Sequence, residues 1–152
     1  MTSRAFLQSF LIADIPAFVT TISLGSSDVY LGQKPRLNRK TDGEIRIGYQ
    51  GRGNLGSKTG KIRRYLFQLE IWSNKWDKQE DNLFSDQLSE VADELVDRYD
   101  GAQGGLTAVM RSALLLSGLK LERSRCTRST PAVNEKAHSR NIMVDLAVDV
   151  WE

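Results

Sequence analysis

The stretch Ile62–Trp72, IRRYLFQLEIW, decides the fold. Tyr65, Phe67, Leu69 and Ile71 fall on one side of an extended chain, and Arg64, Leu66, Gln68, Glu70 and Trp72 fall on the other. Such alternation, rich in aromatic and β-branched residues, marks a half-buried strand. Immediately upstream stands GRGNLGSKTGK, Gly51–Lys61, which is glycine-rich and basic. A phosphate-binding P-loop reads G-x-x-x-x-G-K-[ST] and leads from a strand into a helix. Here Ser57 stands where the lysine belongs, Lys58 and Thr59 come one residue late, and a strand follows. Before the loop, Ile45, Ile47 and Tyr49 alternate with Arg46 and Gly48, which reads as another strand. The segment therefore joins strand to strand, as a long basic hairpin loop around residues 51–61, and forms no nucleotide site.

Working outward, Leu83, Phe84, Leu88, Val91, Ala92, Leu95, Val96 and Tyr99 make one apolar stripe, predicting a long helix from about Asp77 to Tyr99. Asp77, Glu80 and Asp81 suit its N-terminal dipole, and Gly101 is placed to stop it. Residues 106–118 read equally as a short helix or as the approach to a strand. Leu119 and Leu121 alternate with charged residues in GLKLERSRC, predicting a strand toward Thr130. In the last strand Ile142, Val144, Leu146, Val148 and Val150 face one way, and Met143, Asp145, Ala147, Asp149 and Trp151 the other. At the N-terminus, Phe6, Leu7, Phe10 and Leu11 predict a short amphipathic helix. Pro16 either breaks it or opens a second short helix that Val19 and Ile22 continue toward Gly25. A loop-rich stretch with a short strand at Val29–Leu31 follows. The expectation is one α+β domain over 1–152, an antiparallel, largely meandering β-sheet with one long amphipathic helix on a face and short N-terminal helices.

A chain of 152 residues, 40% hydrophobic and 26% charged, has the ordinary make-up of a globular domain with its own core. A single cysteine, Cys126, excludes an internal disulfide framework; it suits reducing cytoplasm and reads as a buried small hydrophobe. No stretch approaches the roughly 20 apolar residues of a membrane span. His138, the sole histidine, falls in a turn beside Ser139 and Arg140. Asp77 with Asp81, and Glu90 with Glu94, share helical faces but lack a neighbouring ligand turn. No catalytic constellation, metal site or cofactor site is expected, and Trp72, Trp76 and Trp151 read as core or interface aromatics.

Charge is segregated along the chain. From Lys34 to Arg64 ten basic residues meet only Asp42 and Glu44, whereas from Asp77 to Asp100 nine carboxylates meet only Lys78 and Arg98. Arg123, Arg125 and Arg128 form a second basic strip. The acidic helix, with Asp86, Glu90, Asp93, Glu94 and Asp97, is either a solvated face or a subunit interface that meets a basic region of a neighbouring copy. The basic loop, with Arg52, Lys58, Lys61 and Arg63, is a solvated tip, a protein-binding arm or a contact for nucleic-acid phosphate. It holds no base-stacking aromatic; Tyr49 and Tyr65 lie in its flanking strands.

The order of elements carries a resemblance. The strand YLFQLEIWSNKWDKQEDN leads into the helix LFSDQLSEVADELVDRY, followed by GLKLERSRC and the terminal NIMVDLAVDVW. This resembles the tail-terminator, or tail-completion, proteins of long-tailed bacteriophages from about Ile45 to Trp151, with a short EIWS signature at Glu70–Ser73. The resemblance implies a non-catalytic virion protein made in the host cytoplasm and resident in the tail or neck. Its subunits would form a homo-oligomeric ring, usually a hexamer, that caps the tail tube and joins it to a neck or head-completion protein. The basic loop would reach a neighbouring subunit or the tube, or line the DNA channel. The long basic segment from Lys34 to Lys61 departs from the minimal family pattern. The rival reading is a nucleic-acid-binding α+β module that uses the basic loop and Arg123–Arg128.

Overall fold

The computed structural model describes residues 2–32, 43–54, 61–73, 81–101, 111–113, 115, 118–129, 132–134 and 139–152; the side chains of 73, 81–86, 132–134 and 139–140 lie outside that description. The elements run α1 (Ser3–Phe18), β1 (Val29–Leu31), β2 (Gly43–Asn54), β3 (Ile62–Ser73), α2 (Asp81–Tyr99), β4 (Lys120–Arg128), β5 (Ala132–Asn134) and β6 (Ser139–Trp151). The class is α+β, as the patterning predicts.

Strand order is β1-β2-β3-β6-β4, with β5 paired to β6. β1 runs parallel to β2, and every other pairing is antiparallel. The sheet is thus mixed, and it departs from a meander where β6 inserts between β3 and β4. Of the two strands that flank β6, β3 is far away in sequence, whereas only residues 129–138 separate β4 from β6. Alternation along each strand shows which face is buried but does not name its partner.

The β2–β3 hairpin is longer than the sequence reading. Pairing continues to Asn54↔Arg63, so residues 51–54 belong to a strand rather than to a loop. A register shift between Tyr49 and Gly51 makes this possible, with Gly51 at φ 138°, a conformation that favours glycine. The remainder of the loop, with Lys58, lies outside the described residues.

A single helix, α1, replaces the two short ones expected. Thr2 Oγ1 accepts from the Ala5 N–H at 3.2 Å and caps it. Pro16 sits inside its last turn, where only one backbone bond is forfeited. Packing offsets that loss: Ile15 is fully buried, and Phe18 meets Tyr99 edge-on with ring centroids 5.6 Å apart. Beyond Phe18 the chain leaves the helix, yet Val19 and Ile22 remain in the core.

α2 packs across β3, β6 and β4 through Leu88, Val91, Ala92, Leu95 and Tyr99. Leu7, Leu11 and Ile15 of α1 join the same core, beneath the inward rows Ile45–Ile47, Tyr65–Ile71 and Ile142–Val150. Each buried Leu, Ile, Val or Phe among them stabilises the fold by about 1.5–3 kcal/mol. In β4 a bulge between Leu121 and Arg123 changes the period, so Leu121, Ser124 and Cys126 face inward. Gly101 follows α2 where a Cβ would meet the Ser124 carbonyl oxygen at 2.9 Å, so close approach to β4 demands glycine there. Within the ambiguous 106–118 segment, residues 111–113 and 115 are helical.

Candidate assembly surface

Both helices share one face of the sheet, and among the described residues no helix covers the other. That open face is built from the outward rows of β2, β3, β6 and β4. Its register places Arg46 beside Glu70, Leu66 beside Ala147, and Arg64 beside Asp149, which in turn sits beside Arg123.

Two charged nodes organise it. Arg46 donates through Nε and Nη2 to the Glu70 carboxylate and through Nη1 to the Gly32 carbonyl. Hydrogen bonding to Glu70 pushes the Arg46 guanidinium up, against the opposing effect of burial. Trp72 Nε1 donates to Glu70 Oε2 at 3.2 Å, and the buried Glu44 accepts from the Tyr30 hydroxyl. Farther along, Asp149, only 2% exposed, accepts from Arg64 Nε at 2.8 Å and Nη2 at 3.0 Å, and from Arg123 Nε at 3.3 Å. One carboxylate thus serves two guanidinium groups. Hydrogen bonding to Asp149 pushes Arg64 up.

Between the nodes lies an open groove of about 390 Å³, lined by Gln50, Leu66, Phe67, Arg125, Thr127, Asp145, Leu146 and Ala147. Leu66 is 40% exposed there.

The basic residues singled out from sequence take different places. Arg52 on β2 and Lys61 before β3 are exposed. Arg63 is half-buried with Nε 3.8 Å from Glu152 Oε2; Glu152 also accepts from the Tyr65 hydroxyl and donates its backbone N–H to the Lys61 carbonyl. Arg123 and Arg125 stand on the open face. Arg128 turns back to its own α2, donating to the Ser89 carbonyl at 3.0 Å and pairing with Asp93 at 3.2 Å. The structure therefore gathers Arg64, Arg123 and Arg125 and leaves Arg128 elsewhere.

The acidic set divides too. Glu94 is half-buried and accepts from the Thr20 N–H, the Thr20 hydroxyl at 2.8 Å and the Thr21 hydroxyl at 3.0 Å, holding the segment after α1. Glu90, Asp93 and Asp97 form an exposed ridge on the side of α2 away from the sheet. The Asp86 side chain, Trp76 and His138 lie outside the described residues.

Sequence reasoning missed Leu66, Ala147 and the Asp149 node. A signal was present, since the outward rows of β3 and β6 carry Ile62, Leu66, Trp72, Met143, Ala147 and Trp151, more apolar surface than a solvated face needs. Trp72 and Trp151 lie in these rows, half-buried, as surface aromatics rather than core. Cys126 is in the core, and burial, reinforced by Asp100 and Asp145, pushes its thiol up to about 12. Among the described residues no group of His, Cys, Asp or Glu is arranged to hold a metal, and no helix is long and apolar enough to cross a membrane.

No protein-family model and no curated protein matches the chain. A solved structure does. A chain of the virion of a native gene transfer agent (GTA) particle matches with a TM-score of 0.52, covering 97% of this chain and 91% of that one at 16% identity. The shared feature is the fold. It extends over nearly the whole of both chains, so α1, the sheet and α2 belong to one common arrangement.

Proposed function

We propose that the chain is a structural subunit of a phage-type virion, a tail-terminator or tail-completion protein. In this reading its copies form a ring, a hexamer, that caps the tail tube and joins it to the neck or head-completion protein. The observation that carries the reading is the end-to-end fold match to a chain of a GTA virion particle. The EIWS segment and the strand-to-helix order support the narrower assignment. The protein acts through surfaces and turns over no substrate.

Protein contact is favoured over nucleic-acid binding by the use the structure makes of its arginines. Arg64 and Arg123 are tied to Asp149, and Arg128 to Asp93. Charges already committed to carboxylates release few counterions on meeting phosphate, the main source of affinity for nucleic acid. Arg52 and Lys61 remain exposed for contact with a neighbouring subunit, the tube or passing DNA.

Localisation tests the reading. Particles purified from the producing cells should contain the chain, and gold-labelled antibody should decorate the junction of head and tail. Absence from the particles, or label spread over the head, would refute it.

A further inference from the structure

The groove on the open face has an apolar floor at Leu66 and Ala147 and a cationic wall at Arg125. Beside it Arg64 and Arg123 share Asp149, so with Arg125 three guanidinium groups stand against two carboxylates, the buried Asp149 and the groove's own Asp145. On the far side of the molecule, Glu90, Asp93 and Asp97 lie at i, i+3 and i+7 along one exposed line of α2. Asp93 is shared with Arg128; Glu90 and Asp97 have no ion pair among the described residues.

The two surfaces are comparable in length. Glu90 to Asp97 spans about 10 Å along a helix rising 1.5 Å per residue. Arg123 and Arg125 stand about 7 Å apart along β4, a difference that long arginine and glutamate side chains span.

We infer that the groove receives the α2 ridge of a second copy, with Glu90 and Asp97 of one subunit facing Arg123 and Arg125 of the next over a covered Leu66. This rests on the assembly reading above and names the contact that would build it. Because it joins two different surfaces of the same chain, the contact is heterologous; it propagates from copy to copy and closes when the rotation between copies returns to its start. A helix can set carboxylates against the arginines while Gln50 and Thr127 bond its polar side chains.

A charge swap tests this on the full chain. Arg125→Glu and the pair Glu90→Lys with Asp97→Lys should each weaken self-association about tenfold or more at low salt, with thermal unfolding unchanged because these side chains are exposed. Combining all three substitutions in one chain should restore assembly, and mixing the two variant proteins should restore it too, with the two alternating because each one's groove then meets a ridge of opposite charge. If wild type assembles and the variants do so equally well, the inference falls and the ring reading stands. A wild-type chain that never assembles ends both. Loss of duplex-DNA binding in Arg125→Glu with assembly intact would reassign the groove to nucleic acid and overturn the inference.

Discussion

Arg98 donates to both carboxylate oxygens of Asp14, from Nε at 2.8 Å and from Nη2 at 2.7 Å, and this fork ties α1 to the last turn of α2. Asp14 also accepts from the Tyr99 hydroxyl at 2.7 Å, while Arg98 lies 4.3 Å over the Phe18 ring. Asp14→Ala strands both donors, one of them the nearly inaccessible Tyr99 hydroxyl. The expected loss is about 1–3 kcal/mol, with the Arg98 share reduced by its partial exposure. Asp14→Asn keeps an acceptor and should lose less. Urea midpoints of the two variants check the order.

Asp149 gives a graded comparison. Arg64 reaches it with two bonds, Arg123 with one longer bond from a side chain 51% exposed. Arg123→Ala should cost under about 1 kcal/mol. Asp149→Ala removes all three bonds and leaves two partly exposed guanidinium groups facing each other, and should cost about 1–3 kcal/mol, more than Arg123→Ala. Equal losses from the two substitutions would show that the carboxylate does not serve as the hub.

Much of this framework was legible in the chain itself. Tyr65–Ile71 and Ile142–Val150 alternate so regularly that their buried face needs no coordinates, and the stripe from Leu88 to Tyr99 is as plain. Three features escaped for physical reasons. Pro16 signals a helix break, but the buried Ile15 and the Phe18–Tyr99 contact outweigh one missing hydrogen bond. The extension of β2 depends on a bulge at Gly51, which glycine alone permits but does not announce. For the assembly surface, residue type showed which side chains carry charge. Only strand order showed that Arg64 and Arg123 converge on Asp149 while Arg128 is spent on Asp93.

Gly43 and Gly53 should respond oppositely to alanine. A Cβ at Gly43 would lie 2.8 Å from the Trp72 carbonyl oxygen and 2.9 Å from Ile22 Cδ1, whereas nothing lies within 4 Å at Gly53. Gly43→Ala should destabilise by about 1–3 kcal/mol. Gly53→Ala should be neutral or stabilising by up to about 1 kcal/mol, because it restricts the unfolded chain. Thermal melts distinguish the two.

Alkaline pH should weaken the fold. The Cys126 thiol, raised by burial from 9.0 to about 12, stays protonated in the folded chain where the unfolded chain has already lost the proton. The unfolded state then binds fewer protons, so stability is full below about pH 9 and falls as pH rises toward 12. Tyr99, raised well above its ordinary value by burial and then by Asp14, acts in the same sense. Denaturant midpoints at pH 8, 10 and 11 should decline in that order. At pH 8 a thiol reagent should label Cys126 only on unfolding; fast labelling of the native chain would contradict its burial.

Native mass spectrometry of the purified full chain across a concentration series tests the central claim most directly. The account predicts one discrete closed species, six subunits in mass, that on dilution gives way directly to monomer without a ladder of intermediates. A spectrum that shows monomer alone at every concentration would contradict it.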